Sequence, residues 1–370
     1  MGIEATIKRG HRPEYVIIAI VALLVVFGLA MLASASSELG KIRFNDSYYY
    51  LKQQLLKGVL PGLLGFFLAF FTPYKAYKRF ALPLLLMSLA LLALVFTSFG
   101  YVAGGAGRWL SLGPLTFQPA EFLKVTYIIY LAAWLSNPRK SREKNLIEGF
   151  IPFLVVSGIV AGTLVFQPAT STVVILITSG MAVYFLSGAK WRYILVTIGV
   201  GLLALGILVL STGYRRDRIS SFWESERNLN DKGYHLREAL ITLGSGGLWG
   251  LGYGESLAKV RRLPASINDS IFAVIGSELG FVGAGALVAL FGYLSIRILW
   301  IAKDFRERFG KFILVGFGSI IGLQAFFNMA AISGIIPLTG VPLPFISYGG
   351  TALTVFLVMS GIVANISKYT

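Results

Sequence analysis

Three stretches place ionisable or polar side chains where the surrounding chain is apolar and polarity is expensive. Gln118-Pro119-Ala120-Glu121-Phe122-Leu123-Lys124 opens one apolar run, and Glu121 and Lys124 are three residues apart, so a helix presents them on one face close enough to pair. Pro119 suits a first helical turn, and Glu121 favours its positive end. Such a pair serves either packing or catalysis, and spacing leaves both open. Asp269 opens a second run, after Leu263-Pro264-Ala265-Ser266-Ile267-Asn268, and reads as a helix cap, a general base or a metal ligand. Lys259, Arg261 and Arg262 just upstream suit a phosphate group. Glu278, about two and a half turns deeper, is expected to pair with another helix. The third stretch, Gly340 to Gly350, holds two prolines and three glycines in eleven residues, so it is an irregular turn bordering a polar cavity, with Ser347 and Tyr348 inside it.

The elements that must position these groups follow from composition. Of 370 residues, 56% are hydrophobic and only 14% charged, against about 25% charged in soluble domains. Apolar runs of about 20 residues, the length of a membrane-crossing helix, recur along the chain. They predict an all-α polytopic membrane protein with ten spans: 15–35, 54–72, 80–99, 119–136, 150–166, 170–188, 192–211, 269–300, 312–332 and 349–367. The whole chain, 1–370, reads as one integral membrane domain.

The net charge of +16 does not indicate nucleic acid, because the basic residues lie in short segments between apolar runs. With both termini inside, every inner segment is basic, as the positive-inside rule requires. The exception is 212–268, a long extracytoplasmic loop with nine basic residues. Within it, Leu236, Leu240 and Leu243 have helical spacing and predict an interfacial or re-entrant helix. Cysteine is absent and His11 and His235 are the only histidines, which excludes thiolate and histidine-rich metal sites. The glycine series Gly246 to Gly254 lacks the strand and the lysine of a nucleotide loop, and close approach to a lipid head group is expected instead. Gly58-x-x-x-Gly62 and Gly276-x-x-x-Gly280 read as plain helix packing. Gly104 to Trp109 reads as a flexible turn with one guanidinium, Arg108, and one interfacial aromatic.

In order along the chain, these pieces resemble the FtsW/RodA family, the SEDS (shape, elongation, division and sporulation) glycosyltransferases. The matching stretches are Ser34-Ala35-Ser36-Ser37, Gly107-Arg108-Trp109-Leu110, Phe117 to Lys124, Gly244 to Gly250, Leu263-Pro264, Asp269, Ile271 to Val274 and Pro342 to Gly350. Gly252 to Ser256 with Lys259 are closer to the division and sporulation (FtsW) branch than to the elongation branch. Two departures stand out. Ala265, Asn268 and Ser270 replace residues of an LPExxTDFIF pattern, and Gln167-Pro168-Ala169 lacks the acid of a QPD-type turn.

The resemblance implies a SEDS/GT-C-like fold in the bacterial cytoplasmic membrane, polymerising lipid II into glycan strands on its outer face with inversion. Asp269 is then the base, with Glu121 and Lys124 as further catalytic residues. The substrate-binding candidates are Arg108, Trp109, Gln118, Lys259, Arg261, Arg262, Ser347 and Tyr348. A divalent cation, Mg or Mn, is the implied cofactor. Implied partners are lipid II, undecaprenyl-pyrophosphate-linked glycan, a class B penicillin-binding transpeptidase and other divisome or elongasome membrane proteins. A lipid II flippase and a non-catalytic scaffold remain the alternatives.

Overall fold

The computed structural model describes residues 12–103, 106–112, 115–137, 142–167, 169–211, 213, 222, 234–256 and 266–369. Hydrocarbon offers no partner to backbone N–H and C=O groups, so each apolar run closes its hydrogen bonds internally as a helix. In chain order these are α1 (Tyr15–Phe44), α2 (Tyr49–Phe71) with a π-helical turn at Leu55–Val59, and α3 (Ala76–Leu94). Three strands follow, β1 (Gly100–Ala103), β2 (Ala106–Leu112) and β3 (Leu115–Phe117). Then come α4 (Pro119–Leu135), α5 (Leu146–Phe166), α6 (Thr170–Leu186) and α7 (Trp191–Ser211). The chain ends with α8 (Tyr234–Ser245), α9 (Ile271–Asp304), α10 (Arg308–Ile332) and α11 (Gly350–Ser367).

Each of the ten expected spans is met by a helix. Eight are long and apolar enough to cross a membrane. The other two, α4 and α6, have 17 residues each, about 25 Å at 1.5 Å per residue. The first helix continues to Phe44, well beyond the expected residue 35. The protein is a multi-pass, helical membrane protein. α10 and α11 form the buried centre, and α7 is the most exposed span.

One expectation changes at the connection from α3 to α4. The stretch read as a flexible turn is an antiparallel sheet in the order β1-β2-β3, pairing Tyr101 with Trp109 and Leu110 with Phe117. Strand pairing satisfies backbone groups that a flexible turn would leave open beside the bundle. Arg108 and Trp109 are therefore held on a strand.

α9 breaks at Gly280, whose φ of 67° and ψ of −169° suit glycine alone. The segment after α8 repairs the break. Leu251 N and Gly252 N donate to the carbonyls of Ser277 and Glu278 at 3.0 and 3.1 Å, and Phe281 N and Val282 N donate to Gly247 and Leu248 at 2.9 and 3.2 Å. A Cβ on Gly250 would lie 2.1 Å from the Glu278 carbonyl oxygen. The glycine series thus permits close approach to protein backbone, where a lipid head group was expected. α8 forms as expected, but it buries Leu236, Glu238, Ala239 and Thr242 and leaves Leu240 exposed. Its polar links to the α9 region are His235 Nε2 to Ser270 Oγ at 2.7 Å and Ser245 Oγ to Ser277 Oγ at 3.0 Å.

The two small-residue spacings act in packing. Gly58 and Gly62 of α2 admit Gly350 and Leu357 of α11, Gly276 admits Leu243, and Gly280 admits Gly250.

Candidate active site

The starts of α4, α6 and α11, one part of α2, the strands β1 to β3, the turn before α9 and the irregular turn border an open cavity of about 610 Å³. Asp269, Glu121, Lys124, Arg108, Trp109, Gln118 and Tyr348 all line it. These residues come from four separate parts of the chain, so seven sequence candidates converge on one volume.

The Glu121–Lys124 pair forms as its spacing predicts. Pro119 occupies the first turn of α4 and Glu121 follows within that turn. Lys124 Nζ donates to Glu121 Oε1 at 2.7 Å, with the side chains 1% and 4% exposed. The same ammonium donates to Gln324 Oε1 at 2.7 Å and lies 5.5 Å from the centre of the Phe356 ring. Glu121 Oε2 is buried and has no hydrogen-bond partner. That oxygen is available to a ligand in the cavity.

Asp269 sits in the turn before α9. Ser270 takes the cap position, so Asp269 is not the cap residue, and the Ser270 hydroxyl instead meets His235 Nε2 at 2.7 Å. The Asp269 carbonyl accepts from Asn328 Nδ2 at 2.7 Å, and that nitrogen also donates to the Val341 carbonyl at 2.8 Å. Gln324 Nε2 donates to the Pro342 carbonyl at 2.9 Å. The irregular turn 340–349 is thereby tied to α10, and it supports the Asp269 segment through Tyr348 N, which donates to the Ile267 carbonyl at 2.8 Å.

Ser347 requires a correction. It was expected to bind substrate, but it is buried behind the cavity wall, where its hydroxyl accepts from Leu343 N at 2.8 Å and donates to the Asn268 carbonyl. A hydroxyl between two backbone groups braces the turn. Tyr348 does reach the cavity, edge-on to Tyr50 with ring centres 5.3 Å apart. Burial, reinforced by Tyr49 and Tyr50, holds its phenol above the usual tyrosine range, so it is a donor at neutral pH.

Arg108 Nε donates to the Gln167 carbonyl at 3.0 Å, and Gln167 Nε2 donates to the Leu92 carbonyl at 3.2 Å. Gln118 N donates to Thr351 Oγ1 at 3.3 Å. Ala169, standing where a QPD-type turn has its acid, lines the cavity, as does Asn268. Lys259, Arg261 and Arg262 lie outside the described residues. Glu278 pairs with another helix as expected, accepting from Ser34 Oγ of α1 at 2.5 Å.

Lys57, Gln324 and Asn328 were missed. Each is a polar residue inside an apolar run, and that expense was the signal that could have found them.

The family model FTSW_RODA_SPOVE, described as "Cell cycle protein", matches residues 14–370. This chain belongs to the FtsW/RodA/SpoVE family. The probable peptidoglycan glycosyltransferase FtsW of Geobacter sp. (strain M18) is 35% identical over 364 residues, 97% of this chain and 98% of that protein. Stage V sporulation protein E of Bacillus subtilis (strain 168) is 33% identical over 359 residues, 97% of this chain and 98% of that protein. Among solved structures, a chain described under "Structural coordination of polymerization and crosslinking by a peptidoglycan synthase complex" aligns with TM-score 0.78 and 27% identity, covering 97% of this chain and 99% of its own. The crystal structure of the rod shape determining protein RodA of Thermus thermophilus aligns with TM-score 0.70 and 28% identity, over 96% of each chain. The match to the FtsW/RodA/SpoVE family thus covers the cavity and every helix that frames it.

Proposed function

We propose that this protein is a peptidoglycan glycosyltransferase that polymerises lipid II into glycan strands, with the cavity around Asp269 as its active site. The observation that carries this reading is the convergence of one carboxylate, a buried Lys–Glu pair and an arginine on a single cavity, together with relatives named for that activity. Asp269 takes the proton from the GlcNAc 4-hydroxyl of the incoming lipid II. The freed oxygen attacks the anomeric carbon of the lipid-linked MurNAc from the face opposite the diphosphate. The carbon–oxygen bond to the diphosphate breaks, undecaprenyl diphosphate leaves with the electron pair, and the configuration inverts. Cationic Lys124 and Arg108 offset the charge that grows on the leaving group.

Glu121 Oε2 and the substrate's own phosphate oxygens fit a divalent ion, because Mg takes one or two carboxylates alongside phosphates. When bound, Mg or Mn would neutralise diphosphate charge. The basic segments support an orientation with both termini in the cytoplasm and the cavity on the outer face of the bacterial membrane. Partnership with a class B penicillin-binding transpeptidase is supported by the neighbour whose description couples polymerization with crosslinking.

The test is reconstitution of the purified protein with lipid II, with and without that transpeptidase. Glycan product is expected. Leaflet exchange of lipid II without product would replace the enzyme with a flippase, and neither activity would leave a scaffold.

A further inference from the structure

Asp269 stands at the tip of a short helical arm. The two rungs that would carry the helix across Gly280, from the carbonyls of Ser277 and Glu278 to the amides of Phe281 and Val282, are both diverted to the 247–252 segment. Residues 271–279 are therefore not held in line by the long remainder of α9. Their direction depends on what packs beside them.

α8 is that neighbour, and its contacts run in the same order along both helices. Near its start His235 Nε2 shares a 2.7 Å hydrogen bond with Ser270 Oγ, and at its end Ser245 Oγ meets Ser277 Oγ at 3.0 Å. The His235 contact is the one next to the proposed base. Ser270 is fully buried and takes the cap position of α9, yet its hydroxyl bonds no helix amide, so the half-buried imidazole holds a group that capping would otherwise use. Ser270 is also a departure from the LPExxTDFIF pattern, and a phenylalanine there could make no such bond.

The other anchors of this turn come from α10 and the irregular turn. Tyr348 N holds the Ile267 carbonyl, Ser347 Oγ holds the Asn268 carbonyl, and Asn328 Nδ2 holds the Asp269 carbonyl. Those three fix the chain up to Asp269. His235 fixes the first residue after it, from a different helix.

We infer that His235 is a positioning residue for Asp269, acting through the Ser270 hydroxyl to fix the arm that carries the base. The inference rests on the glycan-polymerising reading and adds to it a residue on α8 that touches no substrate.

The experiment uses the full-length protein with His235→Leu, His235→Gln, Ser270→Ala and the double variant His235→Leu/Ser270→Ala. Turnover of lipid II is measured for each, together with hydrogen exchange of the backbone amides in 269–273. Because slight misplacement of a reacting group is costly, His235→Leu should lower kcat by about tenfold with KM within about twofold. Ser270→Ala should lose a similar amount, and the double variant no more than either single change, since all three break one contact. Glutamine keeps a donor and an acceptor near the same place, so His235→Gln should retain most of the activity. Exchange should quicken in His235→Leu and stay slow in His235→Gln. An unchanged kcat in His235→Leu would overturn the inference. So would losses that multiply in the double variant, which mark independent effects, or a His235→Gln variant as slow as His235→Leu, which marks a need for imidazole itself. If the wild type makes no glycan, the function proposed above fails, and the exchange rates still decide whether His235 braces the arm.

Discussion

Gln324 and Asn328 lie one turn apart on α10 and hold opposite sides of the cavity. Gln324 Oε1 accepts from Lys124 Nζ at 2.7 Å, and Asn328 Nδ2 donates to the Asp269 carbonyl at 2.7 Å. Both side chains also reach the irregular turn, at Pro342 and Val341. One face of a buried helix therefore sets where the proposed base stands relative to the Lys–Glu pair.

Replacing Asn328 with leucine removes the donor to the buried Val341 carbonyl and the partly buried Asp269 carbonyl, at about 1–3 kcal/mol for a buried group left unsatisfied. We expect a lower thermal midpoint and a fall in kcat, because the Asp269 segment loses its anchor. Thermal unfolding in detergent and lipid II turnover measure the two effects. An unchanged kcat in a folded Asn328→Leu protein would remove Asn328 from any positioning role.

Lys124→Met leaves the Glu121 carboxylate buried without its cation, a change that costs about 3–5 kcal/mol. Adding Glu121→Gln removes the stranded charge and should restore most of the stability. Activity should stay low in the double variant, because the cation is still missing. A double-mutant cycle on thermal stability and on kcat separates the two roles, and recovery of activity along with stability would make the pair purely structural.

Asp269→Asn keeps size and loses the base. Removal of a general base reduces turnover by about 10²–10⁴, while binding of lipid II and the thermal midpoint should stay close to wild type. Single-turnover polymerisation with a binding control checks this. Full turnover would assign the proton to another group.

Gly280→Ala should be among the most damaging small substitutions. Its backbone is in a region worth about 1–3 kcal/mol of strain for other residues, and the added Cβ would lie 2.4 Å from Gly250 N and 2.5 Å from the Leu248 carbonyl oxygen. Gly285→Ala, with open space around it, serves as the control. Comparison of their thermal midpoints tests whether the seam between α9 and the 246–252 segment is as tight as the geometry says.

Much of the fold is readable from hydropathy, because a backbone in hydrocarbon has few choices. Apolar runs of the right length become helices, and the positions of all ten follow. The Glu121–Lys124 pair is equally local, since helix geometry alone brings residues three apart together. The motif residues Asp269, Arg108, Trp109, Gln118 and Tyr348 were also nameable as candidates from their types and surroundings.

What linear sequence did not reveal depends on contacts between distant residues. The β1-β2-β3 sheet forms because strands pair across turns, a choice that hydropathy does not register. Ser347 looked like a ligand-binding hydroxyl until its neighbours proved to be Leu343 N and the Asn268 carbonyl, two backbone groups that consume it. Gln324, Asn328 and Lys57 acquire meaning only when α10 and the π-helical turn of α2 are packed beside α4, α9 and α11. Sequence by itself determined which segments must be helices and which residue types could do chemistry, because both follow from local solvation and helical spacing. Tertiary structure alone decided which of those side chains share one cavity, because that depends on how close helices pack, and close packing is set by glycines meeting residues hundreds of positions away.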